Sequence, residues 1–271
     1  MRPIRAPVLV ENLKNRYFAD GSEPAGERTR LAELAGFYGG WTQDWLSRRV
    51  AFRPGMAVME AGAGSGAMLA WLAQQAGPHG DVLGLDRTLA HMDALPPPVR
   101  LIEADLYEEA AEPGRFDLVY ARLVLEHLPD PDIALGRLLE WVRPGGVLAV
   151  ASLDFADVKA VSAGADARRF DAGLETIREA IAGSGLVDPA FGRTLKHRFA
   201  AAGLAALTED RLERVVEGGS GWARFLASNN RVIGALAGVD TGTVDAVCAL
   251  MERPGFRFAD QMLFGVTGRR V

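Results

Sequence analysis

The spacing of apolar positions changes near residue 54. Before it, Leu31, Leu34, Tyr38, Trp41 and Trp45 recur at steps of three and four, one face of a helix. Gly39-Gly40 falls inside that stretch and predicts a kink or an interruption. Residues 1–53 are therefore read as an N-terminal helical section. Its aromatics, with Tyr17, either pack on the domain or close over a ligand as a lid. From residue 54 onward, short apolar runs alternate with helical patterns. A-V-M-E-A (57–61) predicts a strand and A-M-L-A-W-L-A-Q-Q-A (67–76) a helix stopped at Gly77-Pro78. D-V-L-G-L-D (81–86) predicts a second strand, with a short helix around His91-Met92-Asp93 after it. V-R-L-I-E-A-D (99–105) and F-D-L-V-Y-A (116–121) predict the third and fourth strands. Asp130 and Pro131 suit the N-cap and first turn of the next helix. Pro144-Gly145-Gly146 then predicts a turn into a fifth strand, G-V-L-A-V-A-S.

Alternating strands and helices with apolar strands imply a doubly wound, mostly parallel α/β sheet. In such sheets ligands bind beyond the carboxyl ends of the strands. Glu60, Asp86, Asp105 and the segment after Tyr120 all fall there. Residues 58–66, V-M-E-A-G-A-G-S-G, join the first strand to the first helix, and Asp86 follows twenty residues after Gly66. Glycines permit a tight strand-to-helix turn and close approach of a ligand, and a carboxylate ending the second strand can accept from ribose hydroxyls. The spacing is G-x-G-x-G rather than the G-x-G-x-x-G of dinucleotide sites, which points to an adenosyl ligand without a pyrophosphate. No Y-x-x-x-K pair accompanies it, so a nicotinamide oxidoreductase is disfavoured.

Composition narrows the partners. A net charge of −5 argues against a nucleic-acid binder, and the pairs Arg48-Arg49 and Arg168-Arg169 read as solvated surface. The single cysteine, Cys248, sits in a helical apolar context and reads as a core residue, and no Cys/His spacing suits a metal. The N-terminus does not read as a signal peptide, and no stretch predicts a membrane span, so a cytoplasmic protein is expected.

Five segments together, V-M-E-A-G-A-G-S-G, V-L-G-L-D, I-E-A-D-L, F-D-L-V-Y-A-R-L-V-L-E-H-L-P-D-P and L-E-W-V-R-P-G-G-V-L, cover about residues 54–154. In order and spacing they resemble the class I S-adenosylmethionine-dependent methyltransferases. The similarity is greatest to the small-molecule group that includes quinone-biosynthesis and natural-product tailoring enzymes. The resemblance implies a seven-stranded Rossmann-like sheet whose last strand, residues 258–268 here, runs antiparallel. It implies a methyltransferase domain over 54–271 with helical insertions at about 155–205 and 218–257, preceded by the lid segment 1–53. It also implies S-adenosyl-L-methionine as cofactor and S-adenosyl-L-homocysteine as product. Gly62 and Gly64, with Ala61 and Ala63, then line the methionine portion, and Glu60 holds its amino group. Asp86 binds the ribose, Arg87 flanks the adenine, and Asp105 accepts from the adenine amino group beside Leu106. Ala121 and Arg122 lie under the methionine end.

The acceptor is less legible. His127, in L-E-H-L-P, follows the fourth strand and is the leading candidate for a base, although the segment resembles one shared across the family whatever the substrate. Substrate choice falls to the non-sheet segments, with Tyr17, Tyr38, Trp41, Trp222, Phe225 and Asn229 as candidate contacts. Trp222, Phe225, Leu226, Val232, Ile233 and Leu236 make a helical apolar stripe, and a small hydrophobic acceptor is expected. A homodimer stays open. The alternative is a methyltransferase-like protein that binds the same cofactor and catalyses a cyclisation or another non-methylating reaction.

Overall fold

The computed structural model describes residues 24–108 and 110–271 and divides into two compact units. The first comprises the chain to Ala151 with Leu195–Asp210 and Gly265–Val271; the second comprises Ser152–Thr194 and Arg211–Phe264.

In chain order the strands are β1 (Ala57–Ala61), β2 (Asp81–Asp86), β3 (Val99–Glu103), β4 (Phe116–Arg122), β5 (Val142–Asp154), β6 (Ala205–Leu212), β7 (Val215–Glu217), β8 (Arg257–Ala259) and β9 (Met262–Arg269). Seven form one sheet in the order β3-β2-β1-β4-β5-β9-β6, mostly parallel with β9 antiparallel. β1 lies between β2 and β4, with Ala61 opposite Leu85 on one side and Ala121 on the other, so the carboxyl ends of three strands come level. Val58, Met59, Glu60 and Ala61 are all buried, as a central parallel strand covered on both faces requires.

Helix α1 (Pro24–Arg49) runs unbroken through Gly39-Gly40, where an interruption was expected. Tyr38, Thr42, Trp45 and Leu46 form its buried stripe, each with no exposed surface. Trp45 stacks on Trp41, their centroids 5.5 Å apart, and its ring fills the space beside Gly265 of β9. Two glycines cost a helix about 2 kcal/mol together. One buried aromatic of about 200 Å² gains roughly 5 kcal/mol, so packing on either side carries the helix across.

Helix α2 (Ala67–Ala76) matches the expected bounds. Residues 87–98 contain no helix, although one was expected around His91; the buried Met92 instead packs beside Gly66. Helix α3 (Pro131–Trp141) is capped by Asp130, whose carboxylate accepts from the Ile133 N–H at 3.1 Å. At its other end the Arg270 guanidinium donates to the carbonyls of Leu139, Glu140 and Val142. Pro144-Gly145-Gly146 is not a turn ahead of β5 but part of it, where the register against β4 slips between Phe116 and Leu118.

The second unit is helical around a two-stranded β7–β8 ribbon. It holds α4 (Ala165–Ser184), α6 (Gly221–Leu236) and α7 (Thr241–Met251), with α5 (Phe191–Ala201) beginning in it. Phe170, Phe256 and Phe258 cluster at its centre. α6 and α7 approach closely where Gly234 meets Val244. The final strand expected over 258–268 is split at Asp260-Gln261. The Asp260 carboxylate turns inward there to accept from Trp222 Nε1 at 2.8 Å and Arg214 Nε at 3.0 Å. Cys248 is buried as expected, with burial pushing its thiol up to about 11.

Candidate functional site

The chain leaves β1 through a turn of three glycines with positive φ: Gly62 at 73°, Gly64 at 55° and Gly66 at 75°. Side chains rarely adopt this region. The Gly62 and Ala63 N–H groups donate to the Leu85 carbonyl at 2.8 and 3.1 Å, tying the turn to β2. A methyl group on Gly62 would lie 2.2 Å from Val124 Cγ2, so the turn and the segment after β4 meet where only glycine fits. Leu123, one residue past β4, also has positive φ, 57°, which is uncommon for a branched residue and marks a constrained segment.

Asp86 ends β2 with one carboxylate oxygen accepting from the Gly64 N–H at 2.7 Å and the other from the Thr88 N–H at 3.2 Å. Each oxygen keeps a lone pair for another donor. Asp105, just past β3, accepts from the Tyr107 N–H at 2.9 Å through one oxygen. Leu106 is buried and Arg87 exposed.

Glu60 is buried at the end of β1, its Oε2 finding no hydrogen-bond partner among the described residues. Burial pushes its carboxyl up to about 8, which the Arg122 charge partly opposes and Asp86 reinforces. An orphaned buried carboxylate is costly unless a donor reaches it. Tyr120, opposite Glu60 in the register, is fully buried and its phenol is pushed upward by desolvation. Ala121 has no exposed surface, so backbone rather than side chain is what it can offer.

The first turns of α1 cross this region. Leu31 lies 3.5 Å from the position a methyl on Gly64 would take. Arg28 donates to the Asp93 carboxylate at 2.8 Å and to the Ala90 carbonyl at 3.0 Å.

The structure thus brings Glu60, Ala61, Gly62, Ala63, Gly64, Asp86, Ala121 and Arg122 together at one end of the sheet, with Asp105 at the neighbouring strand end. Other expectations change. His127 lies in a short 3₁₀ turn (Leu125–His127) with Nδ1 buried, and desolvation together with the Arg30 charge pushes its imidazole down to about 3. A general base must take up a proton, which this setting opposes. Tyr38 is fully buried in the α1 stripe and the half-buried Trp41 is stacked on Trp45. In the second unit Trp222 and Phe225 are buried and stacked on one another, centroids 5.0 Å apart, with Arg214 over the indole. Asn229 is half-buried on α6, and Val232 and Leu236 of the expected stripe are exposed. Tyr17 lies outside the described residues. Thr42, Val124 and Leu31 join the site without having been expected. Only Leu31 carried a signal, its place in the periodic stripe.

A central β1 flanked by β2 and β4, a glycine turn at its carboxyl end and acidic groups closing three adjacent strands make the Rossmann-like fold of methyltransferases. Residues 34–209 match the family described as "Methyltransferase domain", and the chain belongs to that family. Among curated proteins it is similar to "Methyltransferase str2" of Strobilurus tenacellus, 37% identical over 143 residues, which are 51% of this chain and 50% of that protein. The match thus spans about half the length of that relative. Among solved structures the fold resembles a Haemonchus contortus phosphoethanolamine N-methyltransferase 2 crystallised with S-adenosylhomocysteine. The TM-score is 0.55 at 14% identity, over 96% of this chain and 61% of the other. It also resembles the [4+2]-cyclase SpnF, with TM-score 0.51 at 18% identity over 85% of this chain and 80% of the other.

Proposed function

We propose that this enzyme transfers the methyl group of S-adenosylmethionine to a small, hydrophobic acceptor by in-line displacement, in natural-product tailoring in the cytoplasm. The observation that carries the reading is Glu60, a buried carboxylate with an unpartnered oxygen beside a glycine turn. The cofactor presents an ammonium group, and a buried acid suits a cation where a pyrophosphate would call for donors. The glycine turn admits a ligand against the backbone at Gly62 and Gly64, while Ala61 and Ala63 keep its wall small. Asp86, held by two N–H groups, offers its remaining lone pairs to the ribose hydroxyls. Asp105, with one oxygen committed to Tyr107, accepts from the adenine amino group through the other, beside Leu106 and with Arg87 outside. Ala121 and Arg122 floor the methionine end.

When bound, the cofactor supplies an electrophilic methyl on a sulfonium. The chain's contribution is to hold donor and acceptor in line, and orientation alone can supply about 7–11 kcal/mol. The depressed imidazole of His127 and the raised phenol of Tyr120 are both set against proton uptake or release near neutral pH. The described groups beside β4 therefore favour positioning over acid–base work.

A small-molecule acceptor accords with the family. The net charge of −5 gives nucleic acid no field to follow. No helix among the described residues is long and apolar enough to cross a membrane. The test is incubation with S-adenosylmethionine and a panel of hydrophobic phenols, amines and carbon acids, following S-adenosylhomocysteine release. Release coupled to one methylated product is expected. Turnover of an acceptor without release would favour a reaction of the kind that SpnF's description names. Failure to bind S-adenosylhomocysteine in a direct titration, or tighter binding of NAD, would overturn the reading.

A further inference from the structure

A carboxyl and a guanidinium at this end of the sheet stand near one another without pairing. Glu60 on β1 and Arg122 on β4 are close enough for the guanidinium to bias the carboxyl. They share a sheet face, because Glu60 is opposite Tyr120 in the register and Arg122 lies two residues further along the same strand. Yet among the described residues Glu60 Oε2 has no partner and no carboxylate lies within ion-pair distance of Arg122.

Arg122 instead donates an Nη1 hydrogen to Thr42 Oγ1 at 3.1 Å. Thr42 is fully buried in the middle of α1, and its hydroxyl donates to the Tyr38 carbonyl at 2.8 Å. A hydroxyl has one proton and two lone pairs. With the proton committed to Tyr38, only lone pairs face β4, so Thr42 can accept from Arg122 and cannot donate toward it. A hydroxyl in a stripe otherwise made of Tyr38, Trp45 and Leu46 costs free energy unless it is used; here it orients a half-buried guanidinium that has further N–H groups to spare.

We propose that Thr42 is a positioning residue for cofactor recognition. It holds Arg122 facing Glu60, so that the two groups together take a zwitterionic α-amino acid group, ammonium on Glu60 once that carboxyl has given up its proton and carboxylate on Arg122. This deepens the proposed function and rests on it, since the methionine end of the cofactor is that zwitterion. Helix α1 thereby reports to the methionine end through one hydrogen bond.

The test compares two ligands by calorimetric titration of the full chain: S-adenosylhomocysteine, which carries the amino acid group, and 5′-methylthioadenosine, which lacks it. Thr42→Val removes the hydroxyl at nearly constant volume and is expected to weaken S-adenosylhomocysteine about tenfold, the scale of a lost hydrogen bond to a charged group. Methylthioadenosine affinity is expected to stay within about twofold, since the adenosyl contacts are untouched. Thr42→Ser restores the tighter binding, and Thr42→Val adds nothing further in an Arg122→Gln background. Equal weakening of both ligands, or a Thr42→Val loss that persists undiminished without Arg122, would show a purely structural role and overturn the proposal. Should Thr42→Val fail to fold, Arg122→Gln alone decides the zwitterion: selective loss of S-adenosylhomocysteine supports it, and equal binding of both ligands to wild type and variant refutes it. A wild-type chain that binds neither ligand would sink the proposed function instead.

Discussion

Cofactor binding should be coupled to the release of a proton from Glu60. Burial raises this carboxyl from an ordinary 4.5 to about 8, so at pH 7 about nine in ten ligand-free molecules carry it neutral and at pH 6 about 99 in 100. Only the ionised form is a partner for an ammonium group. Each pH unit below 8 therefore charges binding with about 1.4 kcal/mol, and the dissociation constant for S-adenosylhomocysteine should fall about tenfold from pH 6 to pH 7. The sign for stability is opposite. A carboxyl raised in the folded state favours folding while protonated, so its contribution is present below pH 4.5 and is lost as pH rises toward 8. The ligand-free protein should thus lose stability over that window, and the ligand should restore it. Isothermal titration at pH 6 and pH 7, in buffers of different ionisation enthalpy, measures both affinity and protons released. Close to one proton is expected, with Glu60→Gln binding more weakly and showing neither the proton nor the slope. Affinities equal within about twofold at the two pH values, with no proton exchanged, would refute the assignment of Glu60 to the ammonium group.

Three further outcomes are expected. Trp45→Ala empties the space between α1, Tyr120 and Gly265 and should cost about 3–5 kcal/mol in denaturant unfolding; a loss below about 1 kcal/mol would mean that α1 is not held by its aromatic stripe. His127→Gln should leave kcat within a few-fold and the rate profile above pH 5 unchanged, because an imidazole at about 3 is neutral throughout that range. A loss of about a hundredfold or more would restore it as a base. In the second unit Arg193→Met strips the buried Asp154 carboxylate of two side-chain hydrogen bonds, at 2.5 and 2.7 Å, and leaves it the Arg193 backbone N–H. It should destabilise by about 3–5 kcal/mol, and Asp154→Asn in the same chain should recover part of that; equal melting temperatures for Arg193→Met and wild type would count against the pair.

Much of the architecture could be read from one dimension because its signals are local. Parallel strands between helices announce themselves as apolar runs, and the bounds of β1, α2 and β2 follow directly from V-M-E-A, the glycine turn and Gly77-Pro78. The acidic residues of the candidate site were legible for the same reason: each ends, or nearly ends, a strand whose neighbours set its depth. The errors lie where distant packing outweighs local preference. Gly39-Gly40 should break a helix by propensity, but burial of Tyr38 and Trp45 on either side outweighs it. Residues 258–268 read as one strand, but Asp260 turns inward to Trp222 and Arg214, partners 38 and 46 residues away.

The sequence by itself determined the α/β class and the carboxyl ends of β1 and β2, because those rest on periodicity and on glycine and carboxylate spacing within single segments. Only the tertiary structure decided which groups face one another. It set His127 in a desolvated turn that opposes protonation, and it left one oxygen of the buried Glu60 without a partner among the described residues. It also placed Thr42, an unremarked threonine eighty residues before Arg122, against that guanidinium. Burial and cross-strand register are properties of the folded chain, and no local pattern encodes them.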